Sequence, residues 1–361
     1  MVFIPAGRDG QAVRPILITK GETTMDHVKL ISREEIQAVL TMEQAIEMVE
    51  KVYEAHGHNQ VLMPAKITLD TGESNDWPPY GGSYNAMPAY IGGSLDISGI
   101  KWVWGFSGNR QKGIPYIGGM IILNESHTGE VLAVMDGSFI TDIRTGASGG
   151  VAARRLARPD SKTLAIIGAG VQGRMNARAI CKVLPIEELR VADLYPQAAK
   201  AYAEEMSAEL GIRVIPCESN EQACRGADVI VTVTIADEPL VRKEWLKPGS
   251  TVLSLGSFQE LDEQIPLTCD KLVVDSWAQN SHRGELLKLV KSGRITRERV
   301  HAEMPDIVVG RASGREREDE IICGCIIGMG STDIGTAGAV YRKYFEKDES
   351  LSTFAFRTYH K

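Results

Sequence analysis

The sequence predicts an α/β protein built on a doubly wound parallel sheet and preceded by a curved antiparallel sheet. Three observations carry that prediction. From Thr163 onward, short apolar runs alternate with helical segments. The run "LAIIGAG" passes through glycines straight into the helical stretch "QGRMNARAICKVL". Between Met63 and Glu130 the texture is different: strand-like pieces separated by Gly, Pro and Asn turns.

The elements follow in order. Residues 1–30 read as a loose arm leading to a short strand, "HVKLI". Ser32 with Glu35 makes a capping box and opens a helix. Thr41 caps a second helix, with Met42, Ala45, Ile46, Val49, Val52 and Tyr53 at helical spacing. His56 and His58, two apart, read as its polar end. The pieces "AKITL", "IKWVWGF" and "GGMIILN" form the curved antiparallel sheet, and 139–158 is a helix rich in small residues. Strands then alternate with helices: "TLAIIGAG", "ELRVADL", "RVIPC", "DVIVTVT", "TVLSLGS" and "KLVVDS". The charged stretch 310–320 reads as an exposed link. A final amphipathic helix at about 333–347 is placed to return onto the first domain.

Bulk properties narrow the function. With 361 residues, 43% apolar and 24% charged, the chain is an ordinary globular protein of one large or two ordinary domains. A net charge of -7 argues against a nucleic-acid binder, which shows a basic face. No apolar run reaches the roughly 18 residues a membrane span needs. Pro5 and Gly7 break the first apolar run, so no signal peptide is expected and the cytoplasm is the default. Six cysteines do not make a disulfide framework. Cys323 and Cys325 have no further Cys or His nearby in sequence to complete a metal site, and read as buried apolar thiols.

Gly168, Gly170 and Gly173 fit the G-x-G-x-x-G pattern between a buried strand and a helix. In that setting the first glycine makes the turn. The second lets backbone approach a pyrophosphate facing the helix N-terminus, and the third brings helix and strand together. Asp193 stands at the end of the next strand, about 20–25 residues on, where a carboxylate accepts hydrogen bonds from the adenosine ribose. It would repel a 2'-phosphate, and "LYPQ" follows it without an Arg, so NAD is favoured over NADP.

A nicotinamide needs a partner that gives or takes hydride. Lys66, Lys101 and Arg144 each follow apolar or strand-like residues, and Lys101 sits between Ile100 and Trp102. A buried ammonium needs an anionic partner or a depressed pKa. An Arg clamps a carboxylate with two hydrogen bonds. Taken singly, each cation reads equally as half of a structural ion pair. Together, upstream of a dinucleotide fold, they point to an anionic substrate such as an amino or keto acid, with a Lys of lowered pKa moving a proton.

The order and spacing of "MPAY", "GIKWV", "TGEVLAVMDGSFITDIRTGASGGVAARRLAR", "LAIIGAGVQG", "ADVIVTVT", "KPGSTVLSLGS" and "GMGSTDIGTA" resemble the ornithine cyclodeaminase/μ-crystallin family, in its alanine-dehydrogenase-like or imine-reductase branch. The resemblance implies a Rossmann NAD-binding domain, 146–320. Around it lies a discontinuous α+β substrate-binding and dimerisation domain, 1–145 with 321–361. It also implies a homodimer. By motif, the substrate-carboxylate cations fall on Lys66, Lys101 and Arg144, and the pyrophosphate loop on Gly168, Gly170, Val171, Gln172 and Gly173. The ribose acid falls on Asp193; Thr232, Thr234, Leu255, Gly256 and Ser257 line the coenzyme; Asp333 matches an aspartate at the start of the last helix.

Two departures bear on substrate. Where ornithine cyclodeaminases carry a carboxylate two residues before Met-Pro, this chain has Asn85. Where they carry an Asp after the glycine pair, it has Phe258, with Glu260 or Asp262 as stand-ins if the loop shifts. Trp77, Tyr80 and Tyr84 read either as the wall of a less polar pocket or as a surface loop. The expected function is therefore an NAD-dependent amino-acid dehydrogenase or imine reductase acting on an amino, imino or keto acid, with Lys101 catalytic. The alternatives are a cyclodeaminase using bound NAD and a non-catalytic, NAD(P)H-dependent small-molecule binder.

Overall fold

A computed structural model describes residues 25–358. Most of the expected loose arm lies outside them; its last residues form the strand Met25–Ile31. Two sheets organise the chain. The first contains β1 (Met25–Ile31), β2 (Val61–Leu62), β3 (Ile67–Thr71), β4 (Gly82–Ile91), β5 (Ile97–Phe106), β6 (Ile117–Glu125) and β7 (Val131–Asp136). The second contains β8 (Thr163–Ile167), β9 (Glu188–Ala192), β10 (Arg213–Pro216), β11 (Val229–Thr232), β12 (Thr251–Ser254), β13 (Lys271–Val274), β14 (Val300–Glu303) and β15 (Ile322–Cys325). A last strand, β16 (Thr353–Thr358), pairs with β1 and so joins the first sheet.

The first sheet runs β16-β1-β7-β6-β5-β4-β2, with β3 also on β4. It is antiparallel except where β1 meets β7. One face packs on helices, so β4 alternates buried and half-buried residues, as a one-sided sheet requires. The second sheet runs β10-β9-β8-β11-β12-β15-β13-β14, and every neighbouring pair is parallel. Helices cover both of its faces, so β11, β12, β13 and β15 are buried throughout.

One helix joins the units. Asp136 caps Gly137–Leu156 by accepting from the Phe139 N–H at 2.8 Å, and the helix runs unbroken through the expected junction at 145/146. Its small residues serve close packing: a Cβ on Gly146 would strike the Met175 backbone of the next helix, Val171–Val183. β15 lies between β12 and β13, so the parallel sheet takes residues up to Cys325, past 320.

The last helix, Gly330–Val340, does return to the first unit, packing on helices Met42–Gly57 and Gly137–Leu156 and on β4, β5 and β6. Over Gly330–Val340 it is not amphipathic, since nearly every residue is buried; the expected wet face appears only in its continuation, Tyr341–Phe345, where Arg342 and Lys343 are exposed and Tyr341 and Phe345 buried. His56 is drawn into this contact, its Nε2 2.8 Å from Ser331 Oγ, and burial pushes its pKa down to about 4. The stretch 310–320 is exposed at 310–311 and 316–319, as expected, but it is not loose. Arg315 donates to the carbonyls of Leu156 and Glu320, and buried Glu320 accepts from the Glu316 N–H, so the segment is strapped to the sheet end. Cys323 and Cys325 are buried thiols 4.0 Å apart. Among the described residues no helix is long and apolar enough to cross a membrane.

Candidate active site

The glycine loop follows β8. Gly168 has φ +113°, open to glycine and strained for other residues, and its N–H donates to the Ala192 carbonyl at 2.9 Å. A Cβ on Gly173 would run into the Gly168 carbonyl oxygen, so helix and strand meet there only because no side chain intervenes. Gly170 is different: a Cβ there would meet nothing within 4 Å. It is the N-cap of helix Val171–Val183, and no side chain caps that end. Open space before uncapped N–H groups and a positive helix end fits a pyrophosphate. Asp193, just past β9, accepts from the Ala169 N–H at 2.8 Å and the Tyr195 N–H at 2.9 Å, tying the loop to the strand end. The nearby Arg174 is committed to Glu205 at 2.7 Å rather than free to meet a 2'-phosphate.

The remaining coenzyme-side candidates line the ends of β11 and β12. Thr232 is buried, with its hydroxyl facing the Glu260 carboxyl. The Thr234 N–H donates to Glu260 at 2.8 Å. Leu255 is buried, and Gly256 and Ser257 continue from it toward Phe258. Glu260 is thus turned to backbone, buried, and pushed up to about 7 by that burial. Asp262 accepts from the Gln264 N–H at 2.9 Å. Neither replaces the missing acid, because Glu260 is held by the backbone of the loop after β11 and Asp262 by the N–H groups of Gln264 and Lys243. Phe258 lines an opening together with Glu73, Tyr116 and Ile235. Trp77 and Tyr80 are largely exposed, and Tyr84 stacks on Trp102 with centroids 5.3 Å apart.

The three sequence-predicted cations come together. Lys101 points inward from β5, opposite Met87 of β4, and is 1% exposed. Its Nζ lies 2.8 Å from Asp333 Oδ1 and donates to Thr141 Oγ1 at 3.2 Å. Arg144 donates from Nε to the same Asp333 oxygen at 2.8 Å. Asp333 is fully buried and its other oxygen has no partner among the described residues. Burial pushes its carboxyl up, but Arg144 and Lys101 together outweigh that and hold it below the usual range. Burial lowers Lys101 to about 8, against the pull of Asp333. Lys66, half-buried just before β3, falls to about 7 through desolvation first, then repulsion from Arg283, Lys101 and Arg144. The coenzyme-side loop meets this cluster through Asp142, two residues before Arg144, which accepts from Gln172 Nε2 at 3.4 Å. Burial pushes Asp142 up to about 6.

Two charged residues escaped the sequence reading. Asp275 ends the buried run "KLVVD", accepts from the N–H groups of Gly328 (2.6 Å) and Ser276 (2.9 Å), and faces Lys66. Its place at the carboxyl end of a parallel strand was the available signal. Arg283 donates from Nη1 to Asn85 Oδ1 at 3.1 Å. Nothing local marks it, since "SHRGE" reads as a solvated turn.

The family model for ornithine cyclodeaminase and mu-crystallin matches residues 26–348. The chain belongs to the ornithine cyclodeaminase/mu-crystallin family. Within the family it is 33% identical to alanine dehydrogenase of Archaeoglobus fulgidus, over 91% of this chain and 98% of that one. Among solved structures it is similar to Thermococcus litoralis Δ1-pyrroline-2-carboxylate reductase in complex with NADH and L-proline. That match has 35% identity and TM-score 0.83, covering 88% of this chain and 98% of the other. It is likewise similar to an archaeal alanine dehydrogenase dimer with bound NAD, at 33% identity and TM-score 0.84, covering 92% and 100%.

Proposed function

We propose that this chain is an NAD-dependent oxidoreductase acting on the C–N bond of an L-amino acid or of the corresponding imine. The observation that carries the reading is the cluster of Lys66, Lys101 and Arg144, anchored on Asp333 and linked through Asp142 to an uncapped glycine-loop helix. Gly168, Gly170, Val171, Gln172, Gly173 and Asp193 hold the coenzyme, and Thr232, Thr234, Leu255, Gly256 and Ser257 line its path. A bound nicotinamide supplies the hydride donor or acceptor. Lys66 and Arg144 hold the substrate carboxylate. Arg144 has given its Nε to Asp333, so its terminal nitrogens form the half of the fork left for that carboxylate. Lys101, near pKa 8, moves a proton at the substrate nitrogen or at the water that exchanges with it. The named relatives, an alanine dehydrogenase and a pyrroline-2-carboxylate reductase, support the same bond and the same coenzyme.

A cyclodeaminase is disfavoured, because Asn85 and Phe258 stand where it needs acids and Glu260 and Asp262 are tied elsewhere. One assay separates the readings. Net NADH formation with an amino acid, or its consumption with a keto acid and an amine, supports the proposal. Ammonia release without net NADH replaces it with cyclodeamination. Binding of NADH and ligand without turnover replaces it with a small-molecule binder.

The outer face of the first sheet exposes Ile67, Leu69, Trp102 and Met120, an apolar surface that a second copy covers in a homodimer. The dimeric alanine dehydrogenase supports that assembly. Light scattering at twice the chain mass, reduced to one chain by Met120→Glu, is the expected result. The six free thiols fit a cytoplasmic setting.

A further inference from the structure

We infer that Arg283 reads a second carboxylate on the substrate, so that the preferred ligand is an amino or imino acid with two acid groups. The inference rests on the oxidoreductase reading above and narrows its substrate class.

Position comes first. Thr68 and Asn85 stand opposite each other across β3 and β4, and Thr68 Oγ1 donates to Asn85 Oδ1 at 2.8 Å. Asn85 is two residues from Met87, the partner of Lys101 in the sheet, so it lies on the same inward face. The step from Met87 to Asn85 leads toward Gly81 and the opening lined by Glu73, Tyr116 and Phe258. Arg283, fixed on the Asn85 amide, therefore sits between the Lys101 centre and the mouth, within electrostatic reach of Lys66.

Charge comes second. Lys66, Lys101, Arg144 and Arg283 are four cationic side chains around this enclosure, against Asp333, Asp275 and, near Lys101, Asp142. Among the described residues, neither Lys66 nor Arg283 forms an ion pair. Glu73 faces Arg283 only from the exposed rim. Lys66 and Arg144 are taken by the α-carboxylate in the reading above, so Arg283 is the cation left for an anionic group reaching outward from it.

The third observation is the amide itself. A carboxylate at position 85 would pair with Arg283 and neutralise it. An amide oxygen orients the guanidinium through one hydrogen bond and leaves its charge and remaining donors for a ligand.

The second carboxylate has two sources, the side chain of the keto acid or an amino acid that serves as the amine. NADH oxidation is therefore followed in three arms: a 2-oxo monoacid with ammonia, a four- or five-carbon 2-oxo diacid with ammonia, and the monoacid with an amino acid. In parallel, the thermal shift of the NADH-saturated protein is measured with acetate, succinate and glutarate. The expected result is a kcat/KM in one of the two-carboxylate arms at least about tenfold above the first arm. Arg283→Gln and Asn85→Asp each reduce that ratio by about tenfold or more, and Arg283→Lys recovers part of it. Dicarboxylates raise Tm above the acetate value in the parent protein and lose that advantage in Arg283→Gln. Equal arms, or a ratio unmoved in Arg283→Gln, overturn the inference and leave the oxidoreductase reading intact. A dicarboxylate preference in Tm without turnover in any arm removes the oxidoreductase reading and keeps Arg283 as the anion reader. Absence of both removes both.

Discussion

The two sheets contribute to one cleft by opposite means. On the parallel sheet the candidate coenzyme site is made of backbone: a positive-φ turn, an uncapped helix start, and a glycine whose missing side chain lets helix meet strand. On the first sheet the site is made of side chains, drawn from β4, β5, the joining helix, the last helix and a loop of the other unit. Backbone sites fail by steric intrusion. Side-chain sites fail by loss of charge balance, and they respond to pH. The contrast teaches where each half is vulnerable.

The largest expected effect lies on the side-chain half. Lys101→Ala should lower turnover about 10³-fold, the range for loss of a positioned acid or base. Coenzyme affinity, measured by NADH fluorescence, should persist, because the backbone half is untouched. Near-normal turnover would remove the role given to Lys101.

Next comes Asp333→Asn. It strips the shared counter-charge from two buried cations, and breaking such a pair costs about 3–5 kcal/mol. Denaturant melts should show that loss. The pH profile of whatever activity remains should move down from about 8, because Lys101 loses the neighbour that favours its charged form. A stability equal to the parent would mean that the aspartate is not the keystone of the cluster.

The matching test on the backbone half is Gly173→Ala. The new Cβ must displace the Gly168 carbonyl, and overpacking of this kind costs about 1–3 kcal/mol. Coenzyme affinity should fall by about tenfold or more, while the cation cluster keeps its pH response. If both halves weaken together, the separation drawn here is wrong.

The smallest effect is the pH response itself. Lys66 is lowered to about 7, and a bound carboxylate favours its charged form. Carboxylate binding above that pH must therefore take up a proton. Affinity for a simple carboxylate should be flat below about 7 and fall as pH rises through it, by up to about tenfold per unit. Calorimetry in buffers of different ionisation enthalpy reads the proton uptake. Oxidation and reduction should also respond to Lys101 with opposite signs near pH 8. A step that needs its free amine gains as pH rises, and one that needs its ammonium loses.

The same contrast explains what the sequence could tell. The glycine loop was readable because its three glycines stand close together between strand and helix and each has a local reason to be there. Lys101 was readable because a charge inside an apolar strand has no local excuse. Arg283 was not, since a turn cation declares its role only when the topology brings it to Asn85. The last helix reads as amphipathic, which holds for its end, where Arg342 and Lys343 are exposed, but not for Gly330–Val340. Gly335 and Gly338 instead let it nest against Val52 and Ile97, which buries Asp333 with the rest. The run "IICGC" gave no sign of which sheet it would join, because a buried parallel strand shows no alternation to orient it.

The position of that helix near the end of the described chain has a consequence for biosynthesis. As the polypeptide leaves the ribosome, Lys101 and Arg144 emerge long before the residue that balances them, and they can settle only when Gly330–Val340 docks. Assembly of the cation cluster is thus a late act of folding, and a nascent or shortened chain lacking this segment leaves Lys101 and Arg144 without their shared counter-charge.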